Sequence, residues 1–170
     1  VVSPCDAIVG SHGEVDGETV VQAKGFTYSL RDLFGHAQAA APYRNGVYVT
    51  LRLTAGMYHR FHAPSACRVT RVTYISGDTW NVNPIALKRV EKLFCKNERA
   101  LLHCTLQPSG HPIMMVPVGA ILVASIRFHL VDITKLLHPR GTRHERNRPR
   151  RSVQKARAVR TKRRGGGAKL

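Results

Sequence analysis

The stretch "VYVTLRLT", residues 47–54, alternates strictly: Val47, Val49, Leu51 and Leu53 fall on one side of an extended chain, and Tyr48, Thr50, Arg52 and Thr54 on the other. This period of two predicts a half-buried strand. "CRVTRVTYI" (67–75) is rich in β-branched residues and runs into the turn signal "SGD"; "ALLHCTL" (100–106) and the 113–133 stretch read as further strands. Two segments carry helix punctuation instead. In "YSLRDLFG" Ser29 can cap a first turn and Gly35 can end it; in "NVNPIALKRVEKLF" Asn83 can cap, Pro84 suits the first helical position, and Leu87, Val90 and Phe94 share a face. Both helices are expected to act as surface connectors more than core builders. The pattern predicts an α+β fold, predominantly antiparallel β with open, barrel-like sheets and a few short helices, and no internal repeat.

Length and charge refine this picture. A chain of 170 residues has room for one domain with a real core. Residues 139–170 hold 13 of the 27 Lys and Arg and a single acid, Glu145, so this stretch carries +12 of the total +17. It has no apolar periodicity and a Gly-Gly-Gly run, so it is expected to be a disordered basic tail following a domain over residues 1–138. The longest apolar run, 113–126, is too short for a spanning helix and is interrupted by Pro117 and Gly119, so membrane contact is expected to be peripheral or made by residues outside this sequence. Cys5, Cys67, Cys95 and Cys104 form no Cys-x-x-Cys pair and read as small hydrophobes in a reducing compartment. No basic segment leads into an apolar run at the start, and Val1 stands where a methionine would, which suggests a fragment or a processed product.

The chemistry-bearing stretch is "GMYHRFHAP", residues 56–64, with His59 and His62 three apart around Arg60 and Phe61. In an extended chain the two imidazoles point to opposite faces; in a helical turn they share one. By spacing alone they could be surface or hydrogen-bonded structural groups, a catalytic pair or, less readily, metal ligands, since no third ligand is placed nearby.

Seven blocks supply context: "SPCDA" (3–7), "QAKGFTYSL" (22–30), "YRNG" (43–46), "YHRFHAP" (58–64), "GDTWNVNP" (77–84), "KNERA" (96–100) and "VGAILVASI" (118–126). In order and spacing they resemble the phosphatidylserine decarboxylases. The resemblance implies a self-processing, pyruvoyl-dependent lyase that converts phosphatidylserine to phosphatidylethanolamine, the pyruvoyl group arising from the serine of a C-terminal Gly-Ser-Thr motif. A serine hydroxyl needs a base to become a nucleophile, and a carboxylate holds that base in its useful tautomer. By resemblance, Asp6 is the carboxylate and His62 the base of self-cleavage, while His59 serves decarboxylation and protonation. Arg60 is a candidate for attracting an anionic lipid head group, with a merely solvated arginine as the alternative; Ser125 is a candidate pocket-lining residue. Asp78 is expected in a Gly-Asp turn, and Asn97 and Glu98 in a loop whose polar groups satisfy nearby backbone.

The pattern departs from the family at several places. No Gly-Ser-Thr occurs in these residues, and the one Gly-Ser pair, Gly10-Ser11, lies in the first strand region. The chain as written is therefore expected to form no pyruvoyl group. Ala7, Met57 and Ala124 stand where the family has glycine, aspartate and glycine. The abrupt change near His138 suits a reading-frame shift, an inactive homologue, or a basic tail with work of its own. The resemblance also implies a homodimer, phosphatidylserine and an anionic membrane surface as partners, and a peripheral position on the cytoplasmic face of the plasma membrane or an organelle inner membrane. The alternatives are an inactive lipid-binding homologue and a basic-tail phosphate or nucleic-acid binder; the tail has no Phe, Tyr or Trp to stack on bases, which disfavours nucleic acid.

Overall fold

The computed structural model describes residues 1–23 and 26–129. The predicted tail and the last residues of the 113–133 stretch lie outside the described residues. Among the described residues, seven strands form three antiparallel sheets: β1 (Ile8–Glu14) with β4 (Val47–Arg52), β2 (Thr19–Ala23) with β3 (Phe26–Ser29), and β5 (Cys67–Ile75), β6 (Arg99–Leu106) and β7 (Pro112–Met115) in that order. None of them closes into a barrel, so the class stands as α+β with small open sheets.

The three-stranded sheet divides the core because neighbouring residues of a strand face opposite ways. Leu101 points into one cluster with Val20, Tyr28, Leu33, Phe34, Leu93 and others. Ala100, Leu102 and Cys104 on the other side join Val72 in a second, smaller cluster, against which Phe61, Ile126 and Phe128 pack.

Among the described residues, four single-turn helices lie over the first cluster: α1 (Leu30–Phe34), α2 (Ala37–Ala40), α3 (Pro84–Leu87) and α4 (Leu93–Lys96). The predicted caps are in place. Ser29 Oγ accepts from the Asp32 N–H at 3.0 Å, Gly35 ends α1 in the left-handed region at φ 82°, and Asn83 Oδ1 accepts from the Ala86 N–H at 2.8 Å. The predicted second helix stops at Leu87 and resumes at Leu93, with Leu87, Val90 and Phe94 still facing the same cluster. The expectation that these helices are surface connectors fails: Leu30, Leu33, Phe34, Leu87, Leu93 and Phe94 are all buried. Helices this short do not hold themselves. Buried polar side chains hold them. Gln22 Nε2 donates to the carbonyls of Leu87 (2.9 Å) and Val90 (2.8 Å), and Gln22 Oε1 accepts from the Leu93 N–H at 2.8 Å. Arg99, 4% exposed, donates to the carbonyls of Asp32 (3.1 Å), Leu33 (2.7 Å), Cys95 (2.7 Å) and Asn97 (2.9 Å), gathering the ends of α1 and α4.

Strand β4 forms as predicted, and it is the Tyr48 side that turns inward. Val47 is 82% and Val49 56% exposed, whereas Tyr48 packs against the first cluster. The tyrosine can turn inward because its hydroxyl is satisfied there, 3.1 Å from Ser11 Oγ and 3.3 Å from the Val21 N–H. The predicted strand at 113–133 is regular only over Pro112–Met115. The chain then exchanges two bonds with the start of β6, Ala100 N–H to Pro117 O at 3.1 Å and Gly119 N–H to Glu98 O at 2.8 Å, before turning away. All four cysteines are free thiols, and burial pushes Cys95 up to about 11 and Cys104 up to about 12.

Candidate functional site

Two backbone hydrogen bonds lay residues 2–4 antiparallel to residues 62–64: the Val2 N–H donates to Pro64 O at 2.8 Å, and the His62 N–H to Pro4 O at 2.7 Å. Asp6 sits two residues beyond Pro4, just before β1. The fold therefore brings the segments of Asp6 and His62 alongside one another across more than fifty residues of sequence. Both side chains are exposed, and no hydrogen bond or ion pair joins them among the described residues.

Residues 59–62 form no helix, and their exposure alternates: His59 and Phe61 are half-buried, Arg60 and His62 exposed. This is the extended alternative, so the two histidines fall on opposite sides of the segment. Phe61 fastens it. Its ring meets that of Phe128 edge to face, centroids 5.9 Å apart, over the second core cluster. His59 shares the inward side with Phe61, while His62 and Arg60 share the solvent side.

Ser125 lies on the segment that Phe128 anchors. It is exposed and left-handed at φ 81°, and its N–H donates to Glu98 Oε1 at 2.9 Å. Glu98 Oε2 accepts from the Tyr74 hydroxyl at 2.6 Å. Burial, with this hydrogen bond and the Glu98 charge, raises the Tyr74 pKa above the ordinary tyrosine range. Gly119 is required here, because a Cβ would fall 2.5 Å from Glu98 Cγ and Oε1. The expectation for "KNERA" is met: Asn97 Nδ2 donates to the carbonyls of Trp80 and Gly119 at 2.8 Å each, and its Oδ1 accepts from the Trp80 N–H at 2.8 Å. The grip of Glu98 on Ser125 was not legible, since the block shows a polar loop without its target. Among the described residues, no three His, Cys, Asp or Glu side chains are grouped to hold a metal ion. No helix among them is long and apolar enough to cross a membrane.

A sequence model of the phosphatidylserine decarboxylase family matches residues 1–164. The chain belongs to this family. It is 42% identical over 127 residues to the phosphatidylserine decarboxylase proenzyme of Halorhodospira halophila, covering 74% of this chain and 42% of the relative. The proenzyme of Myxococcus xanthus is 37% identical over 134 residues, covering 79% of this chain and 47% of that protein. The Vibrio cholerae proenzyme is 37% identical over 142 residues, covering 83% and 48%. The chain thus spans a little under half the length of these relatives.

Phosphatidylserine decarboxylases are pyruvoyl-dependent. The only Gly-Ser pair here, Gly10-Ser11, lies in β1, where Ser11 pairs with Thr50 and its hydroxyl meets Tyr48. That serine is held in a sheet and does not fit the group, and the sequence contains no other Gly-Ser pair.

Proposed function

We propose that this chain supplies the histidine-bearing part of a phosphatidylserine decarboxylase, a carboxy-lyase acting on phosphatidylserine at an anionic membrane surface and assembling with a second copy of itself. The supporting observation is the double fastening of residues 59–62, by His62 N–H to Pro4 O and by Phe61 to Phe128, which holds both histidines between the segments of Asp6 and Ser125. In this reading His62 takes the proton of a serine hydroxyl and Asp6 orients it. His59, on the other side, holds the proton that replaces the departing carboxylate. The exposed Arg60 faces the charge of the head group.

Self-cleavage and carbon dioxide release test the reading. The purified chain alone is expected to remain intact at 18.9 kDa and to release no carbon dioxide from phosphatidylserine. Co-expressed and co-purified with the Gly-Ser-Thr-bearing portion of the Halorhodospira halophila relative, it is expected to support cleavage of that portion and carbon dioxide release. His62→Ala should block the cleavage. His59→Ala should leave cleavage intact and lower release by about 100-fold or more. A co-purified pair that neither cleaves nor releases carbon dioxide, or activity indifferent to both substitutions, overturns the reading.

A further inference from the structure

We propose that residues 120–126 are a strand without its partner, and that the partner is an extended segment from the portion of a phosphatidylserine decarboxylase that lies outside the match to this chain. The proposal rests on the reading above and names the surface through which the two portions meet.

The side-chain pattern suits a strand. Extended, the segment would put Leu122, Ala124, Ile126 and Phe128 on one side and Ile121, Val123, Ser125 and Arg127 on the other. Ile126 and Phe128 already pack on the second core cluster, whereas Leu122, on the same side of that pattern, is 85% exposed. The place where regular structure stops has a simple cause. The chain pairs along β6 as far as Gly119 N–H to Glu98 O, and β6 begins at Arg99, so past Gly119 it offers no further backbone. The chain folds instead into a turn closed by Val123 N–H on Ala120 O at 3.1 Å. Two residues other than glycine then stand in the left-handed region, Leu122 at φ 74° and Ser125 at φ 81°, where an L side chain crowds its own backbone. Among the described residues, the backbone of residues 121–126 makes two hydrogen bonds, that turn and the Ser125 N–H to Glu98 Oε1.

Backbone and length choose the partner. Acyl chains supply no donors or acceptors, so irregular backbone placed among them stays unsatisfied, and the Glu98 carboxylate at the base of the loop does not attract anionic head groups. A second strand satisfies N–H and C=O groups along its length and lets Leu122 turn to the side it shares with Ile126. The chain covers 42% of the Halorhodospira halophila proenzyme and 48% of the Vibrio cholerae one, so more than half of each relative lies outside the match. In a full-length proenzyme that portion is tethered to this one, which gives it a local concentration that a second, free copy lacks.

Amide exchange and one side chain test this. The full chain is co-expressed with the Gly-Ser-Thr-bearing portion of the Halorhodospira halophila relative, and exchange at residues 120–126 is compared between the complex and the chain alone. The complex is expected to slow exchange there by at least about tenfold. Leu122→Gly suits the left-handed turn, so it should keep or raise the thermal midpoint of the chain alone while weakening the complex at least about tenfold. Leu122→Val, which favours extended backbone, should leave the complex intact. Failure to co-purify, a complex without slowed exchange at 120–126, or a complex indifferent to Leu122→Gly overturns the proposal. So does slowing by vesicles of phosphatidylcholine and phosphatidylglycerol but not by the added portion, which gives the segment to a membrane. Slowing in the chain alone as its concentration rises overturns it too, giving the segment to a second copy. A complex with slowed exchange but no cleavage or carbon dioxide release removes only the proposed function, and an active complex with fast exchange at 120–126 removes only this surface.

Discussion

The ring of Phe61 stands edge to face on that of Phe128, with centroids 5.9 Å apart and planes at 82°. This contact joins the histidine segment to the segment of Ser125 through the one apolar side chain between His59 and His62. An extended segment with one half-buried ring and two differently facing imidazoles gives each histidine its own surroundings.

Phe61→Ala is expected to destabilise the protein by about 1–3 kcal/mol, below the 3–5 of a fully buried phenylalanine because Phe61 is only half-buried. Urea unfolding measures it. A double-mutant cycle with Phe128→Ala should show a coupling of about 0.5–1.5 kcal/mol, and amide exchange at residues 59–62 should quicken.

Arg99→Ala is expected to cost about 3–5 kcal/mol, because it strands the carbonyls of Asp32, Leu33, Cys95 and Asn97 at the meeting of α1 and α4. Arg99→Lys should recover only part of this, a single ammonium being unable to reproduce the fork of the guanidinium. Thermal unfolding that leaves either variant at the parent midpoint would contradict this account.

Gly119→Ala should force Glu98 aside, since the new methyl would lie 2.5 Å from its Cγ and Oε1. The expected cost is about 1–3 kcal/mol. Loss of the Glu98 contact should also raise the exchange rate of the Ser125 amide, whereas Gly110→Ala, with open space around its Cβ, should not affect that amide.

Alkaline pH should unfold the protein through its tyrosines. Tyr28, Tyr43 and Tyr74 all have their pKa raised, burial being the largest cause for each. A raised folded-state pKa means that the native chain binds more protons than the unfolded one at high pH. The associated stability is complete below about pH 10, the unfolded tyrosine value, and is lost as pH rises beyond it. Phenolate absorbance should show part of the five tyrosines ionising only as the fold is lost, and Tyr74→Phe should make the fall in stability shallower.

The sequence by itself determined what depends on a few neighbouring residues. Ser29, Gly35, Asn83 and Pro84 mark helix ends because capping involves groups within one turn, and residues 67–75 read as a strand because β-branched runs favour extended backbone. The seven blocks carried the family for the same reason: they can be read along the chain. Tertiary structure decided the rest. An alternating strand shows that its faces differ without showing which lies inward, and β4 turned its tyrosine side to the core because Ser11 and Val21 supply partners for the hydroxyl. Helices too short to stand alone became core because Gln22 and Arg99, remote in sequence, satisfy their ends. Whether His59 and His62 share a face, and what lies beside them, depended on pairing with Pro4 and on packing against Phe128. Such contacts between distant segments have no local periodicity, because they exist only once the chain has closed on itself.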